Sequence, residues 1–363
     1  MSEDSKKLSA VEEEEVGYVM KQPFNPNKIK VRPQTITVDA MVERIRHNEI
    51  DLSTKFQRKE GLWSDEQQSR LIESILIRFP LPVFYFDGSD NDAWLVIDGL
   101  QRLTSLKRFL VTRELKLKGL EYLPLNGKGW SDLDRPQQRQ INETQLQCYI
   151  LEEGEENVKF NIFKRINTGG LTLSSQEIRH AMHQNVSDFL KELAESKEFV
   201  LATSGKIGRE RMQDRDFVNR FLAFYLFDYE KDYHKEDDLD TFMNRSLVKL
   251  SKLSNAEKAQ ITSAFKESMK LAHQIFGKVA FSKQLKPNRL NKALFEVISV
   301  NFAKLDKSER TLLLERKNIF KERLYKAIKE KFRESLSSGT GGQSTVIIRH
   351  SEFDNVLKST LKR

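Results

Sequence analysis

The sequence predicts an α+β fold, in which a first half with a small sheet precedes a second half that is mostly α-helical. In the first half, short segments of alternating apolar and polar residues are separated by turn-forming residues, a pattern typical of strands. From Ser174 to about residue 335, apolar residues recur instead at helical spacing. Strand-rich segments followed by helix-rich segments are typical of α+β proteins.

The strands of the predicted sheet are short. Residues 34–38 alternate in polarity, and residues 145–151 do so again later in the chain. Residues 83–86 and 93–97 flank a cluster of Gly, Ser, Asn and Asp at residues 87–92, which predicts a β-hairpin. We expect Cys148 to be a buried residue of the last strand.

Two helices of the predicted fold begin with capping boxes, in which a serine is followed three residues later by Gln or Glu. These boxes start at Ser64 and at Ser174. A third helix follows Asp98, because Leu100, Leu103, Leu106, Phe109 and Leu110 recur at helical spacing. This pattern places Gln101, Arg102, Ser105 and Arg108 on the polar side of that helix.

The chain of 363 residues is longer than one ordinary domain. Residues 1–30 show no periodicity and predict a flexible arm. Residues 31–185 predict the α+β domain, and residues 186–335 predict a helical domain. Residues 336–363 begin with a Ser/Gly-rich stretch and predict a tail with a short strand at residues 345–348 and a last helix.

Composition and charge exclude several classes of protein. A single cysteine, Cys148, excludes a disulfide framework and a cysteine-based zinc site. The net charge of +8 is compatible with a polyanionic partner, but 53 acidic residues are mixed with the basic ones. Residues 1–15 are polar and acidic, so we expect no secretory signal, and no apolar run approaches the length of about 20 residues that a membrane span needs. These features predict a cytoplasmic protein that does not enter a membrane.

The segment from Asp98 to Arg102 is the first candidate site, at the corner between a strand and a helix. One hypothesis is a capping box, in which Asp98 and Gln101 only satisfy the helix start. The other is a phosphate site, since Gly99 permits close approach, helix-start N–H groups bind anions, and Arg102 offers a bidentate cation. Arg102 favours the second hypothesis, because the helix dipole disfavours a cation in the first turn. Asp98 would then hold a metal ion or position a water molecule.

Further candidates contain glycines or arginines. Asn167, Thr168, Gly169 and Gly170 follow Lys164 and Arg165, a pattern compatible with a phosphate-binding nest or with an ordinary helix C-terminus. Arg58 lies near Trp63. The sequence contains no Walker A motif, no G-x-S-x-G motif, and no His/Cys spacing that fits zinc or an HNH nuclease.

The order of the motifs is more specific than any one of them. The series is Phe56-Gln57-Arg58, Leu62-Trp63-Ser64, Pro80-Leu81-Pro82, Asp98-Gly99-Leu100-Gln101-Arg102, Phe163-Lys164-Arg165-Ile166-Asn167-Thr168-Gly169-Gly170 and Leu173-Ser174-Ser175-Gln176-Glu177-Ile178-Arg179. It resembles the N-terminal domain family of the GmrSD-type restriction endonucleases, which belongs to the ParB/sulfiredoxin-like nuclease superfamily. The resemblance covers roughly residues 30–230, and the segment 339–349 is similar to the tail of the family.

The resemblance implies a ParB/sulfiredoxin-like lobe that binds a nucleoside triphosphate, GTP or ATP, with a divalent cation such as Mg²⁺ at Asp98. In that family the motif Asp-Gly-Gln-Gln-Arg is associated with nucleoside triphosphate hydrolysis. The resemblance therefore assigns hydrolysis to Asp98, Gln101 and Arg102, and contact with the cofactor to Gly99. Further phosphate contacts are then expected from Arg58, Arg165, Asn167, Thr168, Gly169 and Gly170.

The resemblance also implies DNA as a partner, within a phage-defence or type IV-like restriction system. A separate nuclease subunit and a homo-oligomer are compatible with it. Leu100 occupies the third motif position and cannot hydrogen-bond a nucleotide. Three alternatives therefore stay open: an NTP hydrolase or endonuclease, a non-enzymatic nucleotide-gated or DNA-binding module that recruits a nuclease, and a protein that keeps only the fold.

Overall fold

The computed structural model describes residues 10–12, 29–52, 63–89, 93–166, 173–234, 238–283, 289–330 and 332–362. The chain forms two compact units. The first is Phe24–Leu173, and the second joins Met1–Pro23 to Ser174–Arg363. The predicted α+β class is confirmed, with the strands in the first unit and a mostly helical second unit.

Within the described residues, the sheet of the first unit has five strands in the order β1-β5-β3-β4-β2. β3 and β4 pair antiparallel, which confirms the predicted hairpin, whereas β5 runs parallel to β3 and antiparallel to β1. The predicted segments missed β2, a two-residue strand that pairs parallel with β4. Cys148 is buried in β5 as predicted. The strands are β1 (Lys30–Thr37), β2 (Ile50–Asp51), β3 (Phe84–Asp87), β4 (Trp94–Asp98) and β5 (Gln145–Glu153).

The helices of the first unit are α1 (Val38–Arg46), α2 (Asp65–Leu76), α3 (Leu100–Leu106), α4 (Arg135–Glu143) and α5 (Glu156–Ile166). The capping box at the start of α2 is confirmed, since the Gln67 N–H donates to Ser64 Oγ and the Ser64 N–H donates to Gln67 Oε1. α3 continues into a π-helical turn at Lys107–Val111. Leu103, Leu106 and Phe109 are buried in the core of this unit, as the helical spacing predicts.

The second unit is a set of packed helices with an aromatic core. Its first helix begins with the predicted capping box at Ser174. The predicted domain boundary at residues 185/186 lies inside α7, whereas the two units divide at residues 173/174. The helices are α6 (Ser175–Met182), α7 (Gln184–Glu195), α8 (Lys197–Ala202), α9 (Gln213–Leu226), α10 (Leu239–Ser251), α11 (Asn255–Phe276), α12 (Lys292–Lys304), α13 (Lys307–Glu315), α14 (Lys317–Lys329) and α15 (Gln343–Leu361).

Part of the predicted flexible arm is fixed in the second unit. Val11 is buried and forms a β-bridge with Leu290. The Glu12 N–H donates to the Leu290 carbonyl at 2.8 Å, and the Glu12 carboxylate pairs with Lys283 at 2.8 Å. Burial of one apolar side chain and these polar contacts hold residues 10–12, although their sequence has no periodicity.

The predicted strand at residues 345–348 is wrong, because these residues belong to α15. Val346, Phe353 and Leu357 recur at helical spacing, and all three are buried in the core of the second unit. The β-branched residues of this segment favour a strand, but packing against the core overrides that local preference.

A buried cluster of charged groups joins three helices of the second unit. Glu296 of α12 accepts hydrogen bonds from Arg220 of α9 and from Arg349 of α15, and it bonds His350 at 2.9 Å. Burial acts to raise the pKa of Glu296, but the two arginines outweigh it and hold that pKa well below its ordinary value. The carboxylate is therefore ionised at neutral pH and cross-links the three helices.

In the described part of the chain, no helix combines the length and the apolar character that crossing a membrane requires.

Candidate functional site

Gly99 forms the corner between β4 and α3, and its geometry admits no other residue easily. Its φ of +104° lies in the left-handed region, which side chains with a Cβ rarely adopt. A Cβ added at this position would lie 2.4 Å from Cδ1 of the Phe84 ring. The close packing of Phe84 on the backbone therefore explains the glycine without a ligand.

The capping-box hypothesis for Asp98 and Gln101 is wrong. Gly99 is the N-cap residue of α3, and within the described residues this helix start has no side-chain cap hydrogen bond. Gln101 Oε1 accepts a hydrogen bond from the Trp63 N–H at 3.1 Å, so Gln101 turns to the segment before α2 and does not close a box with Asp98. Asp98 instead ends β4 and accepts a hydrogen bond from Arg102.

Arg102 is buried, contrary to its predicted place on the polar side of α3. Its guanidinium donates to the Pro82 carbonyl, to the Val83 carbonyl at 3.2 Å and to Asp98 Oδ2 at 3.0 Å. It also lies 4.2 Å from the centroid of the Phe84 ring. Backbone carbonyls before β3 thus attract the charged group inward, although helical spacing places Arg102 away from the leucines.

Burial and the ion pair with Asp98 determine the electrostatics of Arg102. Burial lowers the pKa of Arg102, while the Asp98 carboxylate opposes that shift. The Cys148 thiol is held protonated, since burial raises its pKa to about 11 against a smaller opposing effect of Arg102. The guanidinium therefore sits in a poorly solvated position, where Asp98 is its acidic neighbour.

Asp98 combines a fixed position with access to solvent. Its side chain is 42% exposed, whereas that of Arg102 is 8% exposed. Among the residues that the structure describes, Arg102 is the hydrogen-bond partner of this carboxylate, and it uses only Oδ2. The other oxygen accepts no hydrogen bond within the described residues.

A metal ion at Asp98 would need most of its ligands from outside the protein. Within the described ranges, no group of three or more His, Cys, Asp or Glu side chains could hold a metal ion. Mg²⁺ is commonly bound by one or two carboxylates together with substrate phosphates and water. Asp98 therefore fits a nucleotide-bound Mg²⁺ better than a metal site built only from protein groups.

A polar network that the sequence did not reveal ties α3 to the start of α2. Gln68 Nε2 donates to the Trp63 carbonyl at 2.8 Å, and Arg108 donates to Gln68 Oε1 and to Asp65 Oδ1. The hydrogen bond from Arg108 lowers the pKa of Asp65 despite some burial. Together with Gln101, these contacts fix the backbone at Trp63. The capping box at Ser64 signalled only that a helix begins there.

Of the remaining predicted site residues, only Arg165 lies in the described part of the chain. Arg165 lies in the last turn of α5 and is exposed, as expected for a basic residue at a helix C-terminus. Arg58, Asn167, Thr168, Gly169 and Gly170 lie outside the described residues, and their predicted contacts with phosphate stay predictions.

Residues 41–184 match the family model described as "GmrSD restriction endonuclease, N-terminal domain". The predicted resemblance is confirmed over these residues. The matched residues include the corner at Asp98 and the capping boxes at Ser64 and Ser174. No curated protein and no solved structure gives a match.

Proposed function

We propose that this chain acts on DNA in a phage-defence restriction system and binds a nucleoside triphosphate with Mg²⁺ at Asp98. The family match over residues 41–184 supports the DNA-acting role. The observation that supports the nucleotide site is the Asp98 carboxylate, which is half-exposed and fixed by a buried arginine beside Gly99.

In the proposed site, Asp98 would hold Mg²⁺ or orient the attacking water, and the phosphates would lie near the turn at Gly99. Hydrolysis would join water to the terminal phosphorus, break its bond to the bridging oxygen, and release inorganic phosphate. Arg102 acts through Asp98 by holding its carboxylate, and Gln101 acts by holding Trp63. Arg58, Arg165 and residues 167–170 are proposed to supply further phosphate contacts.

A second candidate function is a nucleotide-gated module that binds without turnover and recruits a separate nuclease. The guanidinium of Arg102 favours this candidate, because both of its terminal nitrogens donate, to Pro82, Val83 and Asp98. An arginine held in this way does not reach the phosphates, where transition-state charge develops. Leu100 packs partly buried against the core and offers no polar group in its place.

Phosphate release from GTP and ATP with Mg²⁺ separates these functions. The comparison uses the unmodified protein, Asp98→Asn, and Asp39→Asn as the matched control, since Asp39 is an exposed aspartate in the first turn of α1. The hydrolase proposal expects turnover that Asp98→Asn abolishes and Asp39→Asn preserves. Nucleotide binding without turnover supports the gated module, and the absence of binding contradicts both.

The DNA-acting role is tested by titrating duplex binding with salt. Neutralising phosphates releases counterions, so the affinity of a phosphate-contacting protein falls steeply as salt rises. We expect this fall for the full chain. Affinity that does not change with salt, or no duplex binding at low salt, would contradict the proposal.

A further inference from the structure

The excess positive charge of the chain is concentrated in one part of the second unit. Residues 41–184, which match the family model, contain 20 Lys and Arg against 21 Asp and Glu. Residues 307–363 contain 14 Lys and Arg against 7 Asp and Glu, so they account for most of the net charge of +8. A surface that attracts a polyanion is therefore expected at residues 307–363 and not in the matched segment.

Helix α14 carries much of this charge. It contains five basic residues and a single acidic one, Glu322. One side of the helix is buried in the core of the second unit through Phe320, Leu324 and Ile328, which recur every four residues. Four of its basic residues, called the α14 lysines here and below, are Lys317, Lys321, Lys326 and Lys329.

The α14 lysines are accessible and have no counter-charge in the described part of the chain. Lys321 is half-buried and the other three are exposed. At 3.6 residues per turn, the four positions fall within about half of the helix circumference. Among the residues that the structure describes, their side chains form no ion pair and no hydrogen bond. By contrast, Lys292 of α12 pairs with Asp216 at 2.7 Å.

The arginines beside the α14 lysines are engaged in the fold. Arg316 donates to the carbonyls of Thr360 and Lys362, both at 2.7 Å. Arg323 donates to the Ser359 carbonyl at 2.5 Å. These bonds hold α14 against the end of α15, so the helix is a fixed support for the lysines.

The charges of α14 oppose the stability of the helix itself. Lys317 lies in the first turn, where the helix dipole disfavours a cation, and that turn contains no acidic residue. Lys317 and Lys321 are four residues apart, a spacing at which like charges repel each other. A bound polyanion would remove both unfavourable effects.

We propose that the α14 lysines bind the phosphate backbone of duplex DNA, an inference that rests on the DNA-acting role proposed above. At 1.5 Å per residue, Lys317 and Lys329 are about 18 Å apart along the helix, which exceeds the major-groove width of about 12 Å. Lysines at the two ends of α14 can therefore contact phosphates on both sides of that groove. Because the apolar side of α14 is buried in the core, it is not available to enter a membrane surface.

Four lysines on other helices of the second unit provide a matched control. Three are exposed and one is half-buried, and within the described residues their side chains also form no ion pair and no hydrogen bond. Changing them to glutamine removes the same charge from α7, α8, α11 and the end of α10. They are Lys191, Lys197, Lys252 and Lys258.

The test measures binding of the full chain to a short duplex of arbitrary sequence over about 50–200 mM salt. Each lost phosphate contact lowers the slope of log affinity against log salt by about 0.9. We expect a variant with glutamine at all four α14 lysines to lose about 3–4 from this slope and to bind on the order of 1,000-fold more weakly at about 0.1 M salt. The control variant should keep the slope of the unmodified protein.

Folding of the variants is checked by thermal unfolding followed by circular dichroism. Glutamine and lysine have similar helix propensities, so we expect an unchanged melting temperature. Should the variant fail to fold, two double variants replace it, and each should lose about 1.8 from the slope. They are Lys317→Gln with Lys321→Gln, and Lys326→Gln with Lys329→Gln.

The outcomes separate this inference from the role on which it rests. Equal losses in the two fourfold variants, or no loss in either while the unmodified protein binds duplex, would overturn the assignment to α14 and leave the DNA-acting role standing. If the unmodified protein binds no duplex at low salt, that role itself is wrong. Binding to anionic phospholipid vesicles that requires the α14 lysines, with duplex binding independent of them, would assign these residues to a membrane surface instead.

Discussion

Replacing Arg102 by alanine tests whether this residue supports the fold or contacts a ligand. The substitution removes two bonds from a charged group to the carbonyls of Pro82 and Val83, and such bonds contribute about 1.5–3 kcal/mol each. The pair with Asp98 adds only about 0–1 kcal/mol, because the carboxylate is half-exposed and screened by water. We therefore expect Arg102→Ala to lower the free energy of unfolding of the first unit by about 3–7 kcal/mol.

Urea unfolding followed by tryptophan fluorescence measures this loss in the relevant unit. The three tryptophans, Trp63, Trp94 and Trp130, all lie in the first unit. Asp98→Asn is the matched control, since it removes the ion pair but keeps both carbonyl bonds, and it should cost about 0–1 kcal/mol. An unchanged urea midpoint for Arg102→Ala, together with lost nucleotide binding, would refute the structural role and favour direct contact with phosphate.

Three further predictions concern packing, buried charge and the thiol. Gly99→Ala should lower the free energy of unfolding of the first unit more than Gly127→Ala does, as measured by urea unfolding. Both glycines have positive φ, but a Cβ added at Gly99 would lie 2.4 Å from the Phe84 ring, whereas one added at Gly127 would meet nothing within 4 Å. Equal losses of free energy in the two variants would contradict this. Glu296→Gln should cost about 3–5 kcal/mol by leaving two buried arginines without their counter-charge, as calorimetric unfolding would show. The lowered pKa of Glu296 stabilises the folded state above the ordinary value of 4.5, and this stability is lost as the pH falls below it. Glu296→Gln should therefore lose stability less steeply in acid than the unmodified protein, and an equal slope would contradict the assignment. Cys148, with a pKa raised to about 11, should react with a thiol reagent at neutral pH only after unfolding; rapid reaction of the native protein would contradict its burial.

Sequence patterns predicted those features whose partners are close along the chain. The capping boxes at Ser64 and Ser174 involve residues three apart, so the pattern contains the whole interaction. The hairpin of β3 and β4 was predictable for the same reason, because a cluster of turn residues separates two short alternating segments.

Features that depend on distant partners were not predictable from such patterns. Arg102 has a polar position on the helical wheel, and only the carbonyls about twenty residues earlier explain its burial. Arg349 lies 53 residues from Glu296, and no local signal indicates that they meet. The tail at residues 345–348 was mistaken for a strand because its helix is stabilised by the core of the second unit.

Four residues of the five-residue motif support the fold, and the fifth, Asp98, presents a carboxylate to solvent. Gly99 accommodates Phe84, Leu100 packs against the core, Gln101 holds Trp63, and Arg102 holds the segment before β3. The Asp98 side chain is 42% exposed. Leucine at the third motif position is therefore compatible with the nucleotide binding that we propose at Asp98. In that proposal, turnover would require a cation outside the motif, so the basic residues near the corner would decide between the hydrolase and the gated module.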